Sequence, residues 1–320
     1  HGVYMVSGRP QAVMVHVNVG TGNAINAIID AQRDQTPVLL MAGRTPLTEA
    51  GLPGARNRPI HWAQEMFDQA GMLRELVKWD YELRTPGQVG DVVARASEVA
   101  MAHPRGPVYL VLPREPLSAP MPEPVGPAKP RPHAAAAFPD PKAIATLAEW
   151  LATAERPLII AATLPNEAVP VLSHLAERCA IPVITHNPRT VCLPSSHPMH
   201  FGYEPGMLLA DADLVVVLES DVPWIPHLQA PAAGVRIAHV GEDPFYVRYP
   251  MRSFPSDLAV QAGVTNALTA LSAEVEQRLQ MAEARIAARR GRLAERMRNR
   301  RAQLAKDSAA GERISPEYLS

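Results

Sequence analysis

Gln11–Asn23 reads QAVMVHVNVGTGN, and the fold follows from how that stretch is parsed. Ala12–Val17 is an apolar run of strand length, and Gly20-Thr21-Gly22 supplies a turn after it, with both glycines free to take positive φ. A helix then runs from Asn23 to Asp34, with Ile25, Ile28 and Ile29 on its inner face. A buried strand feeding a glycine turn and a helix start gathers backbone N–H groups at one spot. Such a spot suits an anion or the polar edge of a cofactor. His16 stands just before the turn. The stretch is not a dinucleotide fingerprint: Ile25 occupies the third position of Gly-x-Gly-x-x-Gly/Ala, and the region near Thr36–Leu40 offers no acid after a second strand.

Working outward, Val38–Ala42 and Val108–Leu112 are further apolar strands, and Val77–Leu83 alternates as a strand does. Helices separate them: a stretch around His61–Ala70, and Pro86–Ala102, where Val89, Val92, Val93 and Ala96 form a core stripe. This alternation predicts a doubly wound α/β domain over residues 1–117, with ligands bound beyond the carboxyl ends of the strands. His16, Gly20–Asn23 and Gly43-Arg44 all fall at such ends.

Ten prolines fall in residues 113–141, with the short run Ala134–Ala137 among them, and this predicts an extended linker over 118–140. A second α/β domain follows over 141–280. Its strands are Pro157–Ala161, Ile181–Thr185, Leu214–Leu218 and Val235–His239. Its helices are Lys142–Ala152, Ala168–Cys179 and Val264–Leu279. Met281–Asp307 carries nine basic and three acidic residues, with one narrow stripe of Ile286, Leu293, Met297 and Leu304. It reads as a solvated connector helix packing by one edge. Ser315-Pro316-Glu317 then caps and starts another helix.

The totals exclude several classes. A net charge of −1 gives no global attraction to nucleic acid, and the basic helix carries no aromatic residue. No apolar run approaches the roughly 20 residues of a membrane span. Cys179 and Cys192 have no metal or redox spacing and read as reduced thiols, which predicts a cytoplasmic protein. Proline is abundant, at 33 of 320 residues, about twice the usual ~5%.

Three motifs in order, QAVMVHVNVGTGNAINAI, RELVKWDYEL and RGPVYLVLPREP, resemble the thiamine-diphosphate-dependent 2-keto acid decarboxylase and acetolactate synthase superfamily, most closely its benzoylformate-decarboxylase-like members. The likeness spans residues 1 to about 280. It implies two parallel-sheet domains, a pyrimidine-binding domain truncated at the front (1–117) and a middle Rossmann-like domain (141–280). Residues 281–320 are then the connector helix and the start of a third domain. It implies thiamine diphosphate as cofactor and a 2-keto acid as substrate, either decarboxylated or ligated as in acetolactate synthesis. It also implies a homodimer or homotetramer, because family sites form between subunits.

By the same resemblance His16 matches a substrate-facing histidine; a histidine can hold a carboxylate and move protons near neutral pH. Gly20, Thr21, Gly22 and Asn23 become cofactor-binding residues, although Asn23 could equally serve only as a helix-start residue satisfying loose N–H groups. Gln64 borders the active-site channel of a partner subunit, at a place where acetolactate synthases carry Phe-Gln-Glu and this chain has Ala63-Gln64-Glu65. The activating glutamate is expected a few residues before His1. Mg²⁺ is expected on a Gly-Asp-Gly segment of the third domain, which this sequence lacks; Gly90-Asp91 is followed by Val92. The 320 residues alone are therefore expected to be inactive. Some members hold FAD or ADP in the middle domain, but the turn Ala161–Pro165 has no glycine, so FAD is not expected. Asp221 and Trp224 follow a strand end and read as loop packing before they read as a ligand crevice. The alternative function is a non-catalytic nucleotide-binding or assembly module.

Overall fold

Apolar runs become the central strands in both halves of the chain. The computed structural model describes residues 1–121 and 131–307. It divides into two units, His1–Ala135 and Ala136–Ser320.

The first unit contains α1 (Gly2–Ser7), β1 (Gln11–Val15), α2 (Val17–Arg33), β2 (Val38–Arg44), α3 (Ile60–Ala63), β3 (Asp80–Glu82), α4 (Val89–Met101), β4 (Val108–Pro113) and α5 (Arg114–Ser118). The sheet is all parallel in the order β1-β2-β4-β3. β2 and β4 are central, and their apolar residues serve both faces. One face packs Leu40, Tyr109 and Val111 under Ile28 and Ala31 of α2. The other packs Leu110 and Leu112 with Leu83 and Val92 of α4.

Three local expectations change. β1 ends at Val15 rather than Val17, and it is not a buried strand: it lies at the sheet edge with Val13 45% and Met14 60% exposed. Edge position leaves it one strand neighbour, β2, so apolar content alone did not determine burial. The Gly-Thr-Gly turn does not exist. The helix begins at Val17, six residues before Asn23, and Gly20 and Gly22 lie inside it without positive φ. The helix around His61–Ala70 contracts to α3 and a 3₁₀ turn at Ala70–Met72.

The second unit contains α6 (Pro141–Thr153), β5 (Pro157–Ala161), α7 (Ala168–Cys179), β6 (Val183–Thr185), α8 (Gly206–Asp211), β7 (Leu214–Leu218), β8 (Arg236–Gly241), β9 (Leu258–Gln261), α9 (Val264–Glu276) and α10 (Leu279–Asp307). Its sheet is parallel in the order β6-β5-β7-β8-β9. α8 and β9 were not anticipated; both are short. α6 starts where Asp140 accepts hydrogen bonds from the N–H groups of Lys142 and Ala143, with Pro141 at the first helical position.

α10 is mostly exposed and packs by one edge, as expected, and that edge is seated deep. Ala282, Ile286 and Leu293 are buried in the core of the second unit. Arg289, 2% exposed, donates to the carbonyls of Leu151 and Ala154 at the end of α6 and of Cys179 at the end of α7. Arg290 and Arg292 reach the carbonyls of Glu177 and Glu155. Helix C-termini leave carbonyls without intrahelical partners and carry partial negative charge, so guanidinium groups suit them. The positive charge of this helix is thus partly spent inside its own unit. Among the described residues no helix is long and apolar enough to cross a membrane. The expected cap at Ser315 lies outside the described residues.

Candidate active site

The junction of β1 and α2 places the residues singled out by sequence. His16 sits between the two elements at the N-cap position, extended (φ −88, ψ 110), and its carbonyl accepts the first helical bond from the Gly20 N–H at 2.7 Å. Its side chain is exposed and makes no capping bond. Val17 follows with φ 45, a left-handed backbone that is costly for a β-branched residue. The sharp change of direction that a glycine was expected to make is made by Val17 instead.

Gly20 has a different reason to be glycine. A Cβ there would lie 2.9 Å from Val15 Cβ and 3.2 Å from the Val15 carbonyl carbon, so the first turn of α2 rests directly on the end of β1. Gly22 is roomier; its nearest neighbour would be Met72 Cε at 3.6 Å. Thr21 points inward. It is fully buried, donating its hydroxyl hydrogen to the Val17 carbonyl and lying 2.7 Å from the Tyr109 hydroxyl. Asn23 is exposed on the helix surface. His16 and the 20–23 backbone thus share one strand-to-helix junction, with Thr21 engaged below it and Asn23 half a turn beyond.

Gln64 is half-buried and ends α3. Its neighbour Glu65 is committed to an ionic cluster at the carboxyl end of β2, pairing with Arg44 and Arg56 and accepting from the Thr45 hydroxyl at 3.1 Å. Arg44 also pairs with Glu82 at the end of β3. Lys78 donates to the carbonyls of Val99 and Ala102, closing the end of α4, as a structural lysine does.

Sequence reading missed Asn18. Its Oδ1 is buried and has no hydrogen-bond partner, two residues past His16 in the first turn of α2. An α2 beginning at Val17 would have pointed to it; the assumed glycine turn hid it. A buried amide oxygen with nothing to accept from, two residues past His16 and next to the exposed Val19, is an acceptor suited to a flat heteroaromatic ring bearing N–H groups. An aminopyrimidine has that character, so the junction fits the ring of thiamin. Among the described residues no three His, Cys, Asp or Glu side chains gather to hold a metal ion, so these residues do not fit a Mg²⁺ site.

In the second unit, the carboxyl ends of the strands are occupied by the protein's own side chains. Asp221 accepts from Arg189 and from the Tyr249 hydroxyl, each at 2.5 Å. Against the upward push of burial, Tyr249 and Arg189 hold its carboxyl below the ordinary range. Trp224 is buried edge-on to Phe254. Arg252 donates to the carbonyls of Ser220 and Asp221 and lies over the rings of Tyr246 and Phe254. Glu219 receives the Glu242 N–H, and burial pushes its carboxyl up to about 8. The β5 turn is packed as well: Leu164 is buried, its N–H bonded to the Thr190 hydroxyl.

Comparison with known proteins agrees with both units. Residues 1–72 match the N-terminal TPP binding domain of thiamine pyrophosphate enzymes, and residues 144–271 match their central domain. The benzoylformate decarboxylase of Pseudomonas aeruginosa is 27% identical over 256 residues, covering 76% of this chain and 47% of that protein. The large subunit of acetolactate synthase isozyme 1 of Escherichia coli is 25% identical over 224 residues, covering 68% of this chain and 38% of that protein. The crystal structure of benzoylformate decarboxylase from Polynucleobacter necessarius shares the fold, with a TM-score of 0.69 at 24% identity, covering 86% of this chain and 51% of that one. The chain spans about half the length of the curated relatives it matches. Two parallel α/β units, each matched by its own domain of the same enzymes, lead to one conclusion: the chain belongs to the thiamine pyrophosphate enzymes and carries their N-terminal and central domains.

Proposed function

We propose that the chain forms the ring-binding part of a thiamin-diphosphate-dependent enzyme acting on 2-keto acids, with decarboxylation as the reaction. The observation that carries this is the β1–α2 junction: an exposed imidazole at His16 and an unpaired buried acceptor at Asn18, inside the segment that matches a TPP binding domain. The bound cofactor would supply the electron sink that makes loss of CO₂ from a 2-keto acid feasible. The chain's own residues position. The amide oxygens of Asn18 and Asn23 are acceptors for ring N–H groups, the 20–23 backbone lines the junction, and His16 faces the substrate carboxylate.

Carboligation is the second reading, because an acetolactate synthase stands among the relatives and Gln64-Glu65 occupies the matching place. The ionic commitment of Glu65 to Arg44 and Arg56 leaves Gln64 as the side chain free to border a channel. The diphosphate and its Mg²⁺ are assigned to polypeptide other than the described residues, and assembly into at least a dimer goes with that assignment. A cytoplasmic location goes with Cys179 and Cys192, which are buried free thiols pushed up to about 11 and about 12 by burial.

Titration of the chain with thiamin diphosphate, followed by NMR, tests the reading. Shifts concentrated at His16, Asn18 and residues 20–23 are expected, and H16A should not abolish them. Binding without any response at this junction would overturn it.

A further inference from the structure

Directly beneath the junction lies a buried hydrogen-bond chain built from three residues far apart in sequence. Thr21, Tyr109 and Gln69 are 0%, 0% and 2% exposed. Gln69 Nε2 donates to the Gly43 carbonyl at 2.9 Å and to the Tyr109 hydroxyl at 3.0 Å. Tyr109 Oη lies 2.7 Å from Thr21 Oγ1, which donates to the Val17 carbonyl at 2.7 Å.

The proton directions in this chain are forced. A carbonyl can only accept, so Gly43 fixes the amide nitrogen of Gln69, and Val17 takes the one hydrogen of Thr21. The phenol therefore accepts from Gln69 and gives its own hydrogen to Thr21. Burial raises the pKa of Tyr109, which keeps that hydrogen in place at ordinary pH. The central strand β4, the carboxyl end of β2 and the first turn of α2 are thereby tied through one hydroxyl group. The tie ends on Val17, the residue in the left-handed region. A β-branched residue held there is strained and persists only where its surroundings over-determine it.

We propose that Tyr109, acting with Gln69 through Thr21, is a positioning residue that holds Val17 in its strained conformation and so fixes the direction in which His16 is presented. Its functional meaning rests on the reading of His16 given above. Thr21 serves the site from below, through its hydroxyl, rather than by touching a ligand.

The His16 Hε1–Cε1 resonance of the 320-residue chain reads this out without any cofactor. A single sharp signal is expected in the native chain and in T21S, which keeps the hydroxyl. T21V and Y109F should each shift that signal or split it in two while circular dichroism shows a folded chain. An unchanged His16 signal in folded T21V and Y109F overturns the proposal. Unfolding of both variants overturns it too, since the network would then be merely structural. The two readings separate cleanly. A His16 signal that answers to T21V and Y109F but not to thiamin diphosphate leaves the network standing and removes the cofactor assignment, and the converse removes only the network.

Discussion

Alanine at Gly20 and alanine at Gly22 should differ in effect, although the two glycines are only two positions apart in the same helix. Neither takes positive φ, so each alanine regains the helix propensity that glycine forfeits, about 0.8–1.0 kcal/mol. That gain is common to both and cancels in their comparison. What differs is space. The new methyl group at position 22 meets only Met72 Cε at 3.6 Å, ordinary van der Waals distance from the end of a flexible side chain. At position 20 it meets Val15 Cβ at 2.9 Å, the Val15 carbonyl carbon at 3.2 Å and Val15 Cγ2 at 3.3 Å. Two of these three atoms cannot rotate away, so β1 or α2 must move. Overpacking of that kind costs about 1–3 kcal/mol. G22A should therefore be more stable than the native chain by up to about 1 kcal/mol. G20A should lie about 1–3 kcal/mol below G22A. Urea unfolding followed through a probe in the first unit, with equal m-values, measures the difference. Equal stability of the two variants would falsify the close approach of α2 to β1. A destabilised G22A would restore the glycine turn that the structure replaces.

Removing the Arg289 guanidinium by R289M leaves three buried carbonyls, those of Leu151, Ala154 and Cys179, without their donor. At roughly 1.5–3 kcal/mol for each charge-assisted bond, offset by release of a buried charge, a loss of about 3 kcal/mol is expected. Thermal unfolding should show it, and trypsin should cut α10 earlier; an unaltered melting curve would sink the capping role. The second unit should also carry a pH signature. Glu219 is held protonated up to about 8, whereas unfolded it loses its proton near 4.5, so it contributes stability that is full below 4.5 and lost as pH rises through 8. His239, buried, is pushed down to about 4 from 6.5, so the unfolded chain binds its proton first and stability falls as pH drops from 6.5 towards 4. The two slopes oppose one another between 4.5 and 6.5, leaving Glu219 alone above that. E219Q should flatten the decline between pH 6.5 and 8, worth at most about 2 kcal/mol because the residue keeps some solvent; denaturant midpoints at the two pH values that fall equally in both proteins would contradict it.

Strands with unbroken apolar runs were legible because a parallel sheet covered on both faces asks for nothing else. β2, β4, β5 and β7 lie where Val38–Ala42, Val108–Leu112, Pro157–Ala161 and Leu214–Leu218 put them. β9 was not legible: four residues, closed in by Pro255 and Gly263, carry too little pattern. The Gly20–Gly22 segment misled for a physical reason. Glycine signals freedom of φ, but it also signals absence of a side chain, and here the second property is the one in use. Only a structure shows that Val15 stands where the missing Cβ would be. The Thr21–Tyr109–Gln69 chain had no local signature at all, since its members are joined by sheet order rather than spacing. The basic helix was legible in its solvated face and its one packed edge, but not in the helix-end carbonyls that Arg289 reaches, because charge alone does not say what it will bond.

The uncovered strand β1 has a consequence for handling the protein. Its outer rim offers peptide groups to any newcomer, and Val13 and Met14 give that newcomer something greasy to lie against. Such a rim templates strand addition between molecules. Concentrated solutions of the chain should scatter light before they lose helicity, and a lysine in place of Met14 should delay the haze while the melting temperature stays put.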